Sequence, residues 1–386
     1  MRCVGVCWGL VMIVSVMSEA AEAEETTGAP FGASEGLFDA SDGHSLGLKQ
    51  IPVQEVELYR ATRDSYRFCH HPNLVAHSGR VWCMWSNGRI GEDEPGQRIL
   101  YASASMSDLG RWTKPRVLAT DPTGKGACVA SGWVLAGKTV VALYTVTGGT
   151  NFDPATALWA RVQRGADGWS EPRRLVPGFF IAAPLRLTDG SLLLAGEHVG
   201  DARKTGRMSL LRTEQAAGLG GWQACEIKPA DLSVFGYTEP APFEVGGGRL
   251  VSPFRNYSGR LYASESRDGG RTWSRPVKTT FPDSLARHAT GRLPGGDYFL
   301  INNPSPKRLD RSILTLALSR DGQRFDRAVI IRNAKTSRRF DGKHKLDGWQ
   351  YPHALVVGQE LLVAYSVNKE DVRLSRISCR ALKSLR

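Results

Sequence analysis

Eight residues, Ser266-Arg267-Asp268-Gly269-Gly270-Arg271-Thr272-Trp273, follow the pattern S-x-D-x-G-x-T-W and constrain the fold more than any other stretch. An aspartate in such a turn accepts hydrogen bonds from backbone N–H groups of its own loop. The glycines supply positive φ, and the tryptophan can pack between layers. The octet is the third turn in residues 237–279, where four strand-like segments are separated by three turn signals, the composition of a four-stranded antiparallel meander. Related patterns recur at a spacing of roughly 50–60 residues, a period that signals propeller arrays. Copies open at His71-Pro72, near Ala130, and at Ala183-Pro184, Glu239-Pro240, His288-Ala289 and Tyr351-Pro352. Weakened octets follow at residues 105–112, 165–169 and 319–325. Helical periodicity is scarce. The expectation is an all-β chain folded as a six-bladed β-propeller of four-stranded antiparallel blades, a strand near residues 53–59 joining the sixth blade. The second copy is faint, which leaves five or seven blades open.

The ends of the chain read differently. Arg2 precedes an apolar run over residues 3–17, and Ser18-Glu19-Ala20 and Ala21-Glu22-Ala23 both suit small-x-small cleavage. The run is short for a bilayer-spanning helix, so residues 1–23 read as a secretory signal peptide, with a membrane anchor as the alternative. Residues 24–50 read as a disordered or loosely attached leader, and 51–386 as one propeller domain. The expected location is secreted or periplasmic, without stable membrane insertion. Five cysteines remain after the signal (Cys69, Cys83, Cys128, Cys225 and Cys379), an odd number without zinc-like spacing, expected as mostly buried thiols. The net charge of +12 is spread thinly; it suits an anionic ligand or simply a basic surface. No aromatic-interleaved basic stripe points to nucleic acid.

Over most of the expected mature chain the pattern resembles the exo-α-sialidase family, whose propellers carry the octet as the Asp box. Glu239-Pro240, a strand, a glycine turn and Phe254-Arg255-Asn256 are similar to the family stretch bearing the catalytic glutamate and one arginine of a carboxylate-binding triad. Asn302-Asn303-Pro304 followed by Arg311 and an Asp-box strand looks like the next blade, with a second triad arginine. Tyr351, ahead of a strand ending in Leu361-Leu362-Val363-Ala364-Tyr365, falls where the family has its nucleophilic tyrosine. The resemblance implies an acid/base aspartate in the first blade. Asp93 in Gly91-Glu92-Asp93-Glu94-Pro95 is the candidate, with Glu92 or Glu94 as alternatives. The departure is also in blade one. Where the family has an Arg-Ile-Pro-like motif, this chain has His70-His71-Pro72, with Arg67 the nearest arginine. Arg67 reaching in, a histidine standing in as donor, or a two-arginine grip would each repair the loss.

The chemistry accounts for these residue types. A sialoside carries its carboxylate on the anomeric carbon, and arginines can grip that anion through forked, charge-assisted bonds. A carboxylate nucleophile would be repelled there, whereas a tyrosine stays neutral until it reacts. Its proton needs a base, which Glu239 can supply, and the leaving oxygen needs an acid. The expected partners are sialylated or other acidic glycans, and neither cofactor nor metal is implied. A metal on His70 and His71 is disfavoured because adjacent strand residues point to opposite faces. The histidines keep two other readings open: a β-eliminating lyase acting on uronate glycans, and a non-catalytic glycan-binding propeller.

Overall fold

The computed structural model describes residues 28–121, 123–165, 168–204, 206–227 and 233–385. The expected signal peptide lies outside them, as do Ala166 and Asp167 of the shortened octet. Among the described residues six blades follow one another along the chain, with a two-stranded parallel pair, Glu226–Ile227 and Thr272–Trp273, linking blades 3 and 4. Blade 1 is built from Phe68–His77, Arg80–Gly88 and Arg98–Ser105, its outer edge divided between Asp108–Trp112 and Arg116–Ala119. Blade 2 repeats this plan with Cys128–Ala136, Thr139–Val146, Ala157–Arg164 and a divided outer edge. Blades 3, 4 and 5 open with the short strands Leu185–Arg186, Phe243–Gly246 and Ala289–Arg292. Blade 6 comprises Trp349–Val357, Glu360–Val367 and Asp371–Ser378. Its fourth strand is Gln54–Tyr59, paired antiparallel with Asp371–Ser378, so the chain's two ends close the ring as expected.

Apolar side chains fill six wedges, one between each pair of neighbouring blades. The strand Glu360–Val367 shows how. Leu361, Val363, Tyr365 and Val367 pack toward blade 5, while Leu362 and Ala364 pack toward blade 1. A strand buried on both faces must be apolar at every position, which is why these runs show no alternation. Trp85 and Trp82 pack into the wedges on either side of blade 1. Four of the five cysteines are buried, and all five are free thiols.

The octet has the expected turn chemistry. Asp268 Oδ1 accepts from the N–H groups of Arg271 (3.0 Å) and Thr272 (2.9 Å), and Oδ2 accepts from the Thr272 hydroxyl (2.7 Å). Trp273 is 2% exposed and packs into the wedge between blades 3 and 4. In the copy at residues 319–325, Asp321 binds its turn the same way and Phe325 takes the tryptophan's place in the next wedge.

The leader departs from expectation. Residues 28–50 are packed against blade 5 rather than loosely attached. Gly32–Ala33 adds a parallel strand to the outer edge formed by Arg324–Arg332, held by Gly32 N–H to the Gln323 carbonyl (2.8 Å) and Ser34 N–H to the Phe325 carbonyl (2.9 Å). A Cβ at residue 32 would meet Thr280 Oγ1, which would have to turn away from the Ala33 carbonyl it bonds. Phe31 is 2% exposed between Phe281 and Phe325, and Leu46 packs on Ile313 and Ile330. Asp42 orders the intervening loop by accepting from the N–H groups of His44, Ser45 and Gly47. A few apolar anchors among small and polar residues were enough to offset the ordering entropy of this segment. Among the described residues no helix is long and apolar enough to cross a membrane.

If the leader is part of the folded domain, Phe31→Ala should destabilise it by about 3 kcal/mol, the cost of emptying a buried phenylalanine site. Urea unfolding should show a lowered midpoint at unchanged slope. A loosely attached leader would leave the midpoint where it was.

Candidate active site

Three blades begin with the same local device. In blade 1 His70 pairs with Ser86 and Asn73 with Met84, leaving His71-Pro72 as an unpaired bulge. In blade 6 Gln350 pairs with Ser366 and His353 with Ala364, leaving Tyr351-Pro352. In blade 4 the Arg255 N–H donates to the Thr238 carbonyl and the Ala241 N–H to the Pro253 carbonyl, leaving Glu239-Pro240. Proline has no N–H to donate, so it sits at a bulge without loss. His71, Glu239 and Tyr351 all adopt left-handed backbone, at φ 55°, 41° and 56°. Such conformations are costly for residues with a side chain and gather at functional sites. His288 and Ala183, expected at equivalent positions, have no positive φ, and His288 is buried with its ring on the Pro253 carbonyl.

The three bulges meet at one pocket of about 390 Å³, lined by His71, Glu92, Asp93, Glu239, Arg255, Arg311, Tyr351 and Lys369 among others. At its floor Tyr351 Oη donates to Glu239 Oε1 (2.8 Å) and accepts from Arg255 Nη1 (2.8 Å). Arg255 Nη2 is 2.6 Å from the same Glu239 oxygen. Carbonyls of Tyr237 and Leu285 take two further Arg255 donors and fix its plane. Arg311 donates to Gln350 Oε1 (2.6 Å), with its guanidinium carbon 5.1 Å from the Tyr351 ring centre. Burial holds the Tyr351 phenol well above its ordinary value against the pull of Arg255. It is therefore neutral at rest, with an acceptor in place for its proton.

Blade one supplies a candidate acid. Asp93, at φ 55°, is pushed up to about 7, chiefly by burial and then by the adjacent Glu92 charge. Asn151 donates to its Oδ2 (2.7 Å), and Oδ1 has no hydrogen-bond partner. The alternatives are engaged elsewhere: Glu94 accepts from the Gly91 N–H of its own loop, and Glu92 binds the Lys369 ammonium. A carboxyl near 7 is poised to give a proton and take it back.

Two expectations fail for physical reasons. Arg67 does not reach the pocket; its guanidinium donates to the Arg63 carbonyl (3.3 Å) and lies 5.5 Å from the Phe340 ring centre. His70 and His71 do not point to opposite faces, because the bulge interrupts the alternation and brings their rings to 4.4 Å. Both rings contact Tyr351, at 3.8 and 5.1 Å, and burial lowers both well below their ordinary value, so they are neutral. His70, His71 and Glu92 thus offer ligand atoms within 4.8 Å of one another. The Lys369 ammonium already supplies the positive charge on Glu92, and bringing a metal ion there would have to displace it.

Other members carried no sequence signal. Glu197, buried in blade 3, accepts from the Thr238 N–H, which braces the strained Glu239 backbone. Burial and then Glu239 push it up to about 7. Buried Arg287, lowered by burial to about 10, lies within electrostatic reach of Glu239 and Tyr351. Phe152, Tyr237 and Tyr257 give the pocket an aromatic wall; Phe152 and Tyr237 have ring centres 5.1 Å apart. Only the Tyr237-Thr238-Glu239 adjacency was readable in advance, as part of the blade 4 stretch.

Asp93, Glu197 and Asp283 are all buried and pushed up to about 7, with burial the main cause. Unfolded, they would titrate near 4. Between about pH 4 and about pH 7 the folded protein holds protons that the unfolded chain has lost, so stability should fall as pH rises through that window. Asp93→Asn should flatten part of this slope, read as the urea midpoint against pH. An unchanged slope would show Asp93 ionised in the folded state.

No curated protein matches the chain by sequence. Among solved structures, a Dyadobacter fermentans protein of unknown function is similar at 15% identity, covering 86% of this chain and 99% of that one (TM-score 0.67). The Trypanosoma rangeli sialidase in complex with sialic acid is similar at 14% identity, over 87% of this chain and 60% of that one (TM-score 0.65). A further sialidase shares 18% identity over 90% of this chain and 35% of its own (TM-score 0.65). The chain thus spans less than two thirds of either sialidase, and identities this low speak for a shared propeller fold. Residues 79–363 of the 386 match the BNR repeat-like domain, from the first blade's hairpin to the sixth blade, and the chain belongs to that family.

Proposed function

We propose that this protein is a retaining exo-glycoside hydrolase that releases a terminal sialic acid, or a related 2-keto sugar acid, through a tyrosine nucleophile. The observation that carries the reading is the hydrogen-bonded trio Tyr351–Glu239–Arg255 on a pocket that also holds Arg311 and Asp93. Sialidases among the structural neighbours, one bound to sialic acid, support it.

Arg255 and Arg311 hold the sugar's carboxylate and set the anomeric carbon over Tyr351 Oη. As positive charge grows on the ring, Oη attacks and its proton passes to Glu239 Oε1, 2.8 Å away. The high cost of a buried phenolate is then never met in full, because proton loss coincides with bond formation. Asp93 gives its proton to the leaving oxygen. In the second half it takes a proton from water, which attacks the anomeric carbon while the bond to Oη breaks and Glu239 returns the proton. Two displacements give retention. Aromatic side chains on the pocket wall suit the apolar face of a sugar. Export, expected from the N-terminal apolar run, would bring the enzyme to extracellular or periplasmic glycoconjugates.

A second reading has one observation in its favour: neutral His71 lies on the pocket beside Tyr351, as a lyase abstracting a proton α to a uronate carboxylate would require. The phenol's own hydrogen bond goes to Glu239 rather than to a histidine, which favours hydrolysis.

A fluorogenic sialoside tests the proposal. Wild type should release sialic acid with no ultraviolet-absorbing unsaturated product, and Tyr351→Phe should lose at least about a thousandfold in kcat, the scale for removing a nucleophile. Incubation with 2,3-difluorosialic acid should add one sugar mass to wild type and none to Tyr351→Phe. Turnover surviving in Tyr351→Phe would overturn the mechanism, and an unsaturated product from a uronate glycan would favour the lyase.

A further inference from the structure

Two buried cations, Arg311 and Lys369, flank the Tyr351 ring with too little negative charge between them. Arg311 is 3% exposed, and its guanidinium donates only to neutral acceptors, Gln350 Oε1 and the Leu285 carbonyl. It has no carboxylate partner among the described residues. Lys369 is also 3% exposed, with its ammonium nitrogen 5.8 Å from the Tyr351 ring centre. Its one carboxylate partner among the described residues is Glu92, which also has His70 Nε2 at 3.7 Å, a buried atom with no hydrogen-bond partner among them. Like charges buried side by side are costly until an anion joins them.

The backbone shows that Lys369 is held in place rather than left there by a flexible loop. Asn368 and Lys369 have φ of 57° and 55°, and the Glu370 N–H donates to the Val367 carbonyl (2.9 Å), the form of a type I′ hairpin turn. Glycine is favoured at the second of these positions, so a lysine there is strained. The Lys369 carbonyl accepts from the Cys69 N–H (2.9 Å), pinning the turn to the strand that carries His70 and His71. Two blades therefore fix where the ammonium emerges.

We infer that Lys369 is the third cation of the carboxylate grip, the part expected of Arg67, and that it draws the sugar acid's carboxylate together with Arg255 and Arg311. This rests on the sugar-acid reading of the pocket given above. On binding, the ammonium shares its charge between Glu92 and the ligand. Lysine is a compact point charge without the planar fork of arginine, so it contributes charge selection more than fixed orientation. The pocket should accordingly distinguish an acid from its ester through Lys369.

Calorimetry with 2,3-dehydro-2-deoxysialic acid and its methyl ester reads this directly. A purely structural role for Lys369 would shift both affinities alike and leave their ratio, whereas a role on the carboxylate weakens the acid and spares the ester. Wild type should prefer the acid; Lys369→Met should reduce that preference about tenfold or more, the scale of a charge-assisted contact. Lys369→Arg should retain most of it, and Arg67→Ala should leave it unchanged. If Lys369→Met is insoluble because Glu92 is left unpaired, Lys369→Met with Glu92→Gln gives the same ratio. A wild-type ratio in the Lys369 variant, with the preference lost in Arg311→Ala, overturns the role of Lys369 and leaves the sugar-acid reading standing. Loss of the preference in Arg67→Ala returns the role to Arg67. No preference in wild type overturns both the inference and the reading beneath it.

Discussion

Pairing of Gln54–Tyr59 with Asp371–Ser378 is the contact on which the remaining geometry depends. It places a strand that precedes blade 1 onto the outside of blade 6, so that neither end of the ring is left with an open wedge. Only then are all six interfaces apolar on both sides, and only then do the openings of blades 1, 4 and 6 face one another across a fixed gap. The site is assembled from residues far apart in sequence: Tyr351 bonds to Glu239 across 112 positions, and Lys369 to Glu92 across 277. Non-local contacts of this kind have value only if the scaffold that presents them cannot breathe open, and ring closure supplies that rigidity.

Within the ring, charge is balanced locally rather than by solvent. Arg255 sits against Glu239, Lys369 against Glu92, and burial pushes Asp93 and Glu197 up to about 7. Neither Arg311 nor Arg287 has a carboxylate paired with it among the described residues. An anion entering this pocket would meet charged groups on a buried floor, where each charged contact is stronger than it would be in water.

The ring, its blade number and the Asp-box turns were legible because they rest on local chemistry repeated along the chain: glycine turns, runs such as Leu361-Leu362-Val363-Ala364-Tyr365, and an aspartate spaced to cap its own loop. Glu239, Tyr351, Arg255 and Arg311 were legible through their resemblance to a family pattern, and the structure brings them together. What was not legible has physical causes. The leader's anchors, Phe31 and Leu46, are single apolar residues among small ones, and no periodicity marks them. The meeting of His70 and His71 depends on a bulge, which cancels the alternation that sequence reasoning assumes. Lys369 lies in a two-residue turn whose conformation its composition argues against. Arg67 precedes the bulge, and its side chain finds the Arg63 carbonyl and Phe340 instead of the pocket.

The three X-Pro bulges have a further consequence. Each presents a side chain to the pocket through a backbone shape set by the strand pairing on either side, and the shape is the same whether the residue is His71, Glu239 or Tyr351. They behave as sockets, accepting different chemical heads without refolding the blade. In blade 1 the position carries a histidine, where the resembling family has an Arg-Ile-Pro-like motif. The side chains that these bulges bring to the pocket are thus set at three backbone positions, apart from the wedges that keep the ring folded.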